Sequence, residues 1–116
     1  NPTDPEWIYA RELVLLSDGP SEWEIPVHAL RVGDLGITGL HGEVFVEIGL
    51  EIKARSPFAS NMVVGLANGS VGYIPTDQAL GEGSYETRLC RHVRAPAGTA
   101  KLWTDTAVAG LTRLQD

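Results

Sequence analysis

The sequence predicts an α/β or α+β fold in which two or three helices pack on a small mixed sheet, forming a single layered domain. Three features indicate this fold: helical patterns near both ends, two strand-like runs joined by Gly33-Asp34, and a compact apolar run at residues 62–67. The 116 residues fit one domain, and a hydrophobic content of 43% is enough for one packed core.

The first element is a helix with clear boundary residues. Asp4 is a favourable N-cap residue, and Pro5 suits the first helical position because its missing N–H needs no partner there. We expect the helix to run through Leu16 and to end at the Ser-Asp-Gly-Pro sequence of residues 17–20.

Two strands joined by a tight turn follow the helix. Residues 24–32 and 35–40 have strand composition, and Gly33-Asp34 between them suits a hairpin. Pro26 cannot donate a ladder hydrogen bond, so the first strand is expected at a sheet edge or with an irregular start.

Residues 43–55 combine two patterns that predict different structures. Apolar and mostly polar residues alternate over residues 44–54, which is the period of a strand. Acidic residues lead the segment, however, while Lys53 and Arg55 close it just before Pro57. That order complements a helix dipole and a proline-terminated helix. The local patterns leave helix and strand open.

The second half of the chain is predicted to contain one more strand pair and a final helix. Residues 62–67 are apolar without alternation, as in a central strand covered on both faces. Asn68-Gly69 favours a turn, so residues 71–74 are expected to fold back as a short strand. Residues 75–95 have loop composition, and residues 97–114 form an amphipathic helix. Its apolar stripe consists of Trp103, Ala107, Leu111 and Leu114.

Composition and simple motifs exclude several function classes. The net charge is −6 and the nine basic residues do not cluster, which argues against a nucleic-acid-binding surface. The single cysteine, Cys90, excludes an internal disulfide framework. No run is long enough to be a transmembrane segment, and neither a P-loop, a dinucleotide fingerprint nor a Ser-His-Asp pattern occurs.

Two short motifs carry the candidate chemistry. Leu40-His41-Gly42-Glu43 places a carboxylate after a glycine at the end of a predicted strand, where side chains project toward crevices. A glutamate there also simply favours the first turn of a helix. Gly72-Tyr73-Ile74-Pro75-Thr76 places Tyr73 at a strand end, where aromatic β-propensity also accounts for it. The residues alone leave two interpretations open for each motif: a functional side chain at a strand end, or a residue that only stabilises the local structure.

His41 offers a further metal-binding hypothesis. His41 and Glu43 lie two positions apart and would share a face of an extended segment, a spacing that can hold a metal. Two ligands do not complete a zinc site, and a surface imidazole is the simpler interpretation.

The motifs occur together with Glu47-Ile48-Gly49-Leu50-Glu51-Ile52-Lys53, Val63-Val64-Gly65-Leu66-Ala67-Asn68-Gly69 and Gly83-Ser84-Tyr85-Glu86. In order and spacing this set resembles the C-terminal part of the catalytic region of bacterial neutral/alkaline (non-lysosomal) ceramidase-like proteins, most strongly over residues 27–86. The resemblance implies a helix at residues 43–55. It also implies Glu43 and Tyr73 as zinc ligands. His41 departs from the family pattern, which usually has proline there.

The same resemblance implies that Tyr85 and Glu86 belong to an active-site loop. Such a pair could line the substrate entrance or order the loop through a hydrogen bond between the phenol and the carboxylate, and we expect the ordering role.

The activity implied by the resemblance is zinc-dependent hydrolysis of the N-acyl bond of ceramide or a related lipid amide. In such enzymes the histidine ligands come from an N-terminal part, so we expect residues 1–116 to be a C-terminal fragment. That fragment would be inactive alone and would bind zinc weakly. Its partners would be the N-terminal part of the same hydrolase and the lipid amide substrate. The resemblance also implies a secreted or periplasmic location.

A different class of function is an alternative. The chain could be a non-enzymatic structural or interaction module that keeps the fold without a metal site. Exposed Trp23 or Trp103 would then form an interface, which includes self-association into a homo-oligomer.

Overall fold

The computed structural model describes residues Asn1–Asp116 and confirms the predicted mixed α/β fold class. The helices are α1 (Pro5–Ser17), α2 (Val46–Arg55), α3 (Asp77–Glu82) and α4 (Thr99–Thr112). The strands are β1 (Val27–Val32), β2 (Leu35–Leu40), β3 (Glu43–Val44), β4 (Ser60–Val64) and β5 (Tyr73–Ile74), and a 3₁₀ turn covers Tyr85–Thr87. None of the helices combines the length and apolar character needed to cross a membrane.

The main sheet has three strands in the order β1-β2-β4. β1 and β2 form the predicted hairpin, with Val32 paired to Leu35 around a Gly33 of φ 59°. The prediction that this first strand lies at a sheet edge is confirmed. β2 is the central strand, since β4 pairs with its other side in parallel.

The prediction of a central strand at residues 62–67 is wrong. The strand spans Ser60–Val64, lies at the other sheet edge, and alternates between exposed and half-buried residues. The sequence shows no alternation because apolar residues occupy both the core-facing and the solvent-facing positions of this strand. Val63 packs against the core, whereas Met62 and Val64 remain exposed.

The predicted fold-back of residues 71–74 onto the preceding strand is also wrong. The turn does form, with positive φ at Leu66, Asn68 and Gly69. However, the N–H of Leu66 donates to the carbonyl of Gly42, so the residues after β4 lie beside the residues after β2. β5 then pairs in parallel with β3 and forms a separate two-stranded sheet.

Residues 43–55 contain both a strand and a helix. The two residues of β3 are extended, and α2 begins only at Val46, after Phe45 as N-cap. On α2, Ile48 and Ile52 are buried, whereas the intervening Leu50 is 60% exposed. The apparent alternation therefore reflects exposed apolar residues on a helix, and a helix is correct for most of the segment.

The core lies between one face of the main sheet and the helices α2 and α4. Its buried members are Leu40, Ile48, Ile52, Phe58, Ile74, Trp103, Ala107 and Leu111. Arg55 ties the two helices together through an ion pair of 2.8 Å with Asp105. Trp103 is only 6% exposed, so the hypothesis that it forms a surface interface is wrong.

Residues 75–95 are more regular than predicted. α3 occupies Asp77–Glu82, and its N-cap Thr76 accepts a hydrogen bond of 3.1 Å from the N–H of Ala79. The composition suggested a loop because a helix of six residues offers no repeating apolar face.

The face of the main sheet that points away from α2 and α4 carries exposed apolar side chains. Leu30, Ile37 and Met62 are register partners and therefore share this face. Leu30 is 59% and Met62 is 50% exposed, because α2 and α4 pack on the opposite side.

α1 is held to the segment before α4 by a buried carboxylate. Glu12 is 7% exposed, and its two oxygens accept hydrogen bonds of 2.8 and 2.9 Å from the guanidinium of Arg91. A second ion pair joins Arg88 to Glu6 at 2.8 Å, and the same guanidinium lies 3.6 Å from the ring centre of Tyr9.

This arrangement predicts an acid-sensitive attachment of α1. Hydrogen bonding to Arg91 lowers the pKa of Glu12 from 4.5 to about 2, despite the opposing effect of burial. Ionised Glu12 therefore stabilises the fold fully above pH 4.5, and this contribution is lost as the pH falls toward 2. We expect Glu12→Gln to lower the thermal midpoint at pH 7, with a difference from the unaltered chain that shrinks as the pH approaches 2.

Circular dichroism melts across that pH range would check the effect of Glu12→Gln. Glu22→Gln is the matched control, because the exposed Glu22 takes part in no ion pair. The role assigned to Arg91 would be contradicted if Glu12→Gln and Glu22→Gln changed the thermal midpoint, relative to the unaltered chain, by the same amount at every pH.

Candidate functional site

The pairing of β3 with β5 places Glu43 beside Tyr73, thirty positions later in the chain. The two residues are direct partners in the parallel register, and the N–H of Glu43 donates to the carbonyl of Gly72 at 2.9 Å. Register partners point to the same side of a sheet. The carboxylate and the phenol therefore lie on one face of this small ribbon.

The backbone around Tyr73 is fixed from two sides. The N–H of Tyr73 donates to the carbonyl of His92 at 2.8 Å, and that of Val71 donates to the carbonyl of His41 at 2.9 Å. Gly72 has a φ of 92° and packs its Cα directly against the backbone of His92, leaving no room for a side chain. The glycine before Tyr73 is thus required both by its conformation and by this close approach.

Tyr85 and Glu86 reach the same place from the 3₁₀ turn. The ring of Tyr85 packs edge-to-face on that of Tyr73, with ring centres 5.9 Å apart and planes at 77°. No hydrogen bond joins the Tyr85 phenol to the Glu86 carboxylate, so the predicted ordering contact is wrong. The turn is ordered instead by Thr87, whose Oγ1 accepts from the N–H of Ser84 at 2.6 Å.

The cluster of Glu43, Tyr73, Tyr85 and Glu86 is electronegative. The negative charge of Glu43 is the largest cause that raises the pKa of Tyr73 above its ordinary value of 10, followed by burial and then by Tyr85 and Glu86. The phenol is therefore protonated at neutral pH in the chain as it stands. A cation bound beside Glu43 would oppose these effects and favour the phenolate.

The proximity of Glu43 and Tyr73 can be tested by titration. Because Glu43 raises the pKa of Tyr73, we expect Glu43→Gln to move the titration of Tyr73 to lower pH. NMR of chains labelled at the tyrosine Cζ would resolve the three tyrosines individually. Glu47→Gln, on the exposed side of α2, is the matched control and should leave the titration of Tyr73 unchanged. A Tyr73 titration that is the same in both chains would contradict the side-by-side placement.

Glu43 and Tyr73 bring two oxygen donors to one face of the β3–β5 ribbon. A carboxylate oxygen and a phenolate oxygen are suitable donors, whereas zinc usually takes four. No group of three or more His, Cys, Asp or Glu side chains in the chain could hold a metal ion. Glu43 and Tyr73 alone therefore make up two of the four donors that zinc usually takes.

His41 is not the surface imidazole that the sequence suggested. Its side chain is half-buried and lies against Gly69, where a Cβ would approach Cε1 to 2.7 Å. Its Nδ1 is buried and has no hydrogen-bond partner. The other two histidines differ: Nδ1 of His28 lies 3.4 Å from the amide nitrogen of Asn68, and His92 is exposed.

A groove of about 400 Å³ opens beside Glu43, between α2 and β4. Its lining is largely apolar and includes Val46, Leu50, Val63 and Leu66. The sequence analysis did not predict this groove. A signal was present in the alternating pattern at positions 44–54, because a helix cannot bury all of its apolar residues on one face. Val46 and Leu50, which belong to that pattern, line the groove.

Comparisons of the chain with protein-family models, curated proteins and solved structures give no match.

Proposed function

We propose that residues 1–116 form the C-terminal part of a ceramidase-like zinc amidohydrolase, in which Glu43 and Tyr73 bind the metal. The substrate would be ceramide or a related lipid amide, cleaved at its N-acyl bond. The remaining ligands would come from the N-terminal part of the same hydrolase, since the 116 residues do not supply a full set.

The observation that carries the proposal is the parallel pairing of Glu43 with Tyr73. The motif resemblance singles out these two residues without any information on distance. Two oxygen donors far apart in sequence and adjacent in the fold are what a shared metal requires. Tyr85 and Glu86, which the same resemblance places at the active-site loop, also join this cluster.

The roles of the residues follow from their positions. Glu43 is exposed and free to bind a cation, while Tyr73 is half-buried with its backbone held on both sides. Tyr85 packs on the Tyr73 ring and limits its rotation. Zinc bound here would polarise the amide carbonyl and make a water nucleophilic near neutral pH.

Metal analysis of the full-length polypeptide encoded by the gene tests the proposal. We expect close to one zinc per molecule, and a large loss of zinc in both Glu43→Gln and Tyr73→Phe. Glu47→Gln and Tyr9→Phe are matched controls, because Glu47 lies on the exposed side of α2 and Tyr9 lies on α1. Undiminished zinc in both site variants would overturn the proposal.

The apolar surface of α1 favours a second candidate, an interaction module without a metal. Exposed apolar residues on this helix are Trp7, Leu13, Val14 and Leu15. Trp23 is 51% exposed as well, with the guanidinium of Arg94 3.9 Å from its ring centre. For such a module, light scattering should give a mass that rises with concentration in metal-free protein, and this rise should disappear in Val14→Lys.

A further inference from the structure

A second cavity lies on the other side of the β3–β5 ribbon from Glu43 and Tyr73. It has a volume of about 270 Å³ and is enclosed by residues 21–25, the region of β5 and the start of α4. Ile74 lines this cavity, and neighbouring strand residues point to opposite faces, so the side chain of Tyr73 points away from it. The cavity is therefore separate from the candidate metal site.

The walls of this cavity are mostly apolar, and two of them are aromatic. Ile74 and Trp103 form its base and are buried members of the core, so this part of the wall is firmly packed. Trp23 forms the outer wall and is half exposed. Aromatic rings in contact gain free energy beyond the burial of their area, so the two indole rings favour a ligand with an aromatic ring.

A single cation, Arg94, lies in the lining of this apolar cavity. Its guanidinium lies 3.9 Å from the ring centre of Trp23, and the residue is half-buried, whereas every other arginine and lysine is exposed. Arg88 and Arg91 bind carboxylates of α1, but the guanidinium of Arg94 takes part in no ion pair or hydrogen bond. In a chain of net charge −6, a half-buried cation without a carboxylate partner is available to an anionic ligand.

We propose that this cavity binds a small carboxylate that carries an aromatic ring, with the ring between Trp23 and Trp103 and the carboxylate on Arg94. The two oxygens of a carboxylate match the planar donors of one guanidinium, which also balances its single negative charge. The volume is slightly below the roughly 300–1,000 Å³ of pockets for ligands of drug size, which limits the ligand to about one ring. The inference goes beyond the proposed function, because neither Glu43 nor Tyr73 lines the cavity.

Isothermal titration calorimetry of the full-length polypeptide with phenylpropionate tests the proposal. Phenylpropionamide is the matched neutral probe, because it has the same ring and length without the negative charge. We expect the carboxylate to bind at least about tenfold more tightly than the amide, since a hydrogen-bonded ion pair is stronger than a hydrogen bond to a neutral group.

Variants separate the charge of Arg94 from the packing of the cavity. Arg94→Gln should abolish the preference for the carboxylate, so that both probes bind about as weakly as the amide binds to the unaltered polypeptide. Arg113→Gln is the matched control and should retain the preference, because Arg113 also takes part in no ion pair but lies just after α4, outside the cavity. Trp23→Leu should weaken both probes, because it removes the outer aromatic wall. Circular dichroism of each variant would confirm that helix content is retained.

Four results would overturn the inference. The first is the absence of binding of either probe to the unaltered polypeptide, and the second is equal binding of the two probes. The third is a preference for the carboxylate that persists in Arg94→Gln, which would assign the anion to another cation. The fourth is tighter binding of phenyl phosphate than of phenylpropionate, which would assign Arg94 to phosphate ligands. All four leave zinc content unaffected, so the inference and the proposed function are tested separately.

Discussion

In the proposed zinc amidohydrolase, replacing Glu43 with Gln or Tyr73 with Phe is expected to reduce amide hydrolysis by the full-length polypeptide by more than about 100-fold. Loss of a group that only supports a metal ligand typically costs about 10- to 100-fold in affinity or activity, and loss of a ligand itself costs more. Both substitutions preserve side-chain size. Tyr73→Phe also preserves the ring contact with Tyr85.

The measurement is kcat/KM for hydrolysis of an N-acylsphingosine, with and without a metal chelator. Because each substitution would remove one donor of the same proposed ion, the double variant should be little worse than either single one. Glu47→Gln and Tyr9→Phe should retain normal turnover. Normal turnover in both Glu43→Gln and Tyr73→Phe would show that neither residue serves the reaction.

Gly72→Ala is expected to destabilise the fold by about 2–6 kcal/mol, the largest effect on stability that we predict. A methyl group at Gly72 would collide with the backbone of His92, which cannot rotate away as a side chain would. The φ of 92° adds strain for any residue with a Cβ. Strain and overpacking each cost about 1–3 kcal/mol.

Gly81→Ala provides the matched control for Gly72→Ala. Gly81 lies in α3, where a Cβ meets no atom within 4 Å, so alanine should stabilise by up to about 1 kcal/mol. Urea unfolding of both variants would measure the two free energies. A Gly72→Ala chain as stable as the Gly81→Ala chain would contradict the close packing of residue 72 on residue 92.

Displacement at Gly72 should also affect the site. Tyr73 is held by a hydrogen bond to the same carbonyl group of His92 that the new methyl group would strike. We therefore expect the pKa of Tyr73 to fall toward its ordinary value in Gly72→Ala, because the phenol would move away from Glu43. Gly81→Ala should leave that titration unchanged.

Local sequence features were sufficient to predict α1, α4 and the β1–β2 hairpin, whose formation depends on residues close together in the chain. α1 begins after Asp4 and ends at Ser17, as capping chemistry predicts. The β1–β2 hairpin turns at Gly33, where a positive φ favours glycine. α4 places Trp103, Ala107 and Leu111 in the core, as its apolar stripe predicts.

Long-range packing decided the remaining elements. The pattern of residues 43–55 was ambiguous because it contains a two-residue strand and a helix, and the helix leaves Val46 and Leu50 exposed. Residues 71–74 do not pair with the preceding strand, as the local pattern predicted, because their backbone hydrogen bonds go to distant segments that local patterns cannot identify. β5 instead pairs with β3, and the N–H of Tyr73 donates to His92.

The candidate site divides in the same way. The sequence alone determined which residues have suitable chemistry: the carboxylate of Glu43, the phenol of Tyr73, and the pair Tyr85 and Glu86. Only the tertiary structure decided that they meet, that Tyr85 contacts Tyr73 through its ring, and that an apolar groove lies beside Glu43. The physical reason is that chemical type belongs to single residues, whereas proximity depends on parallel strand pairing between distant segments, which leaves no periodic pattern in either one.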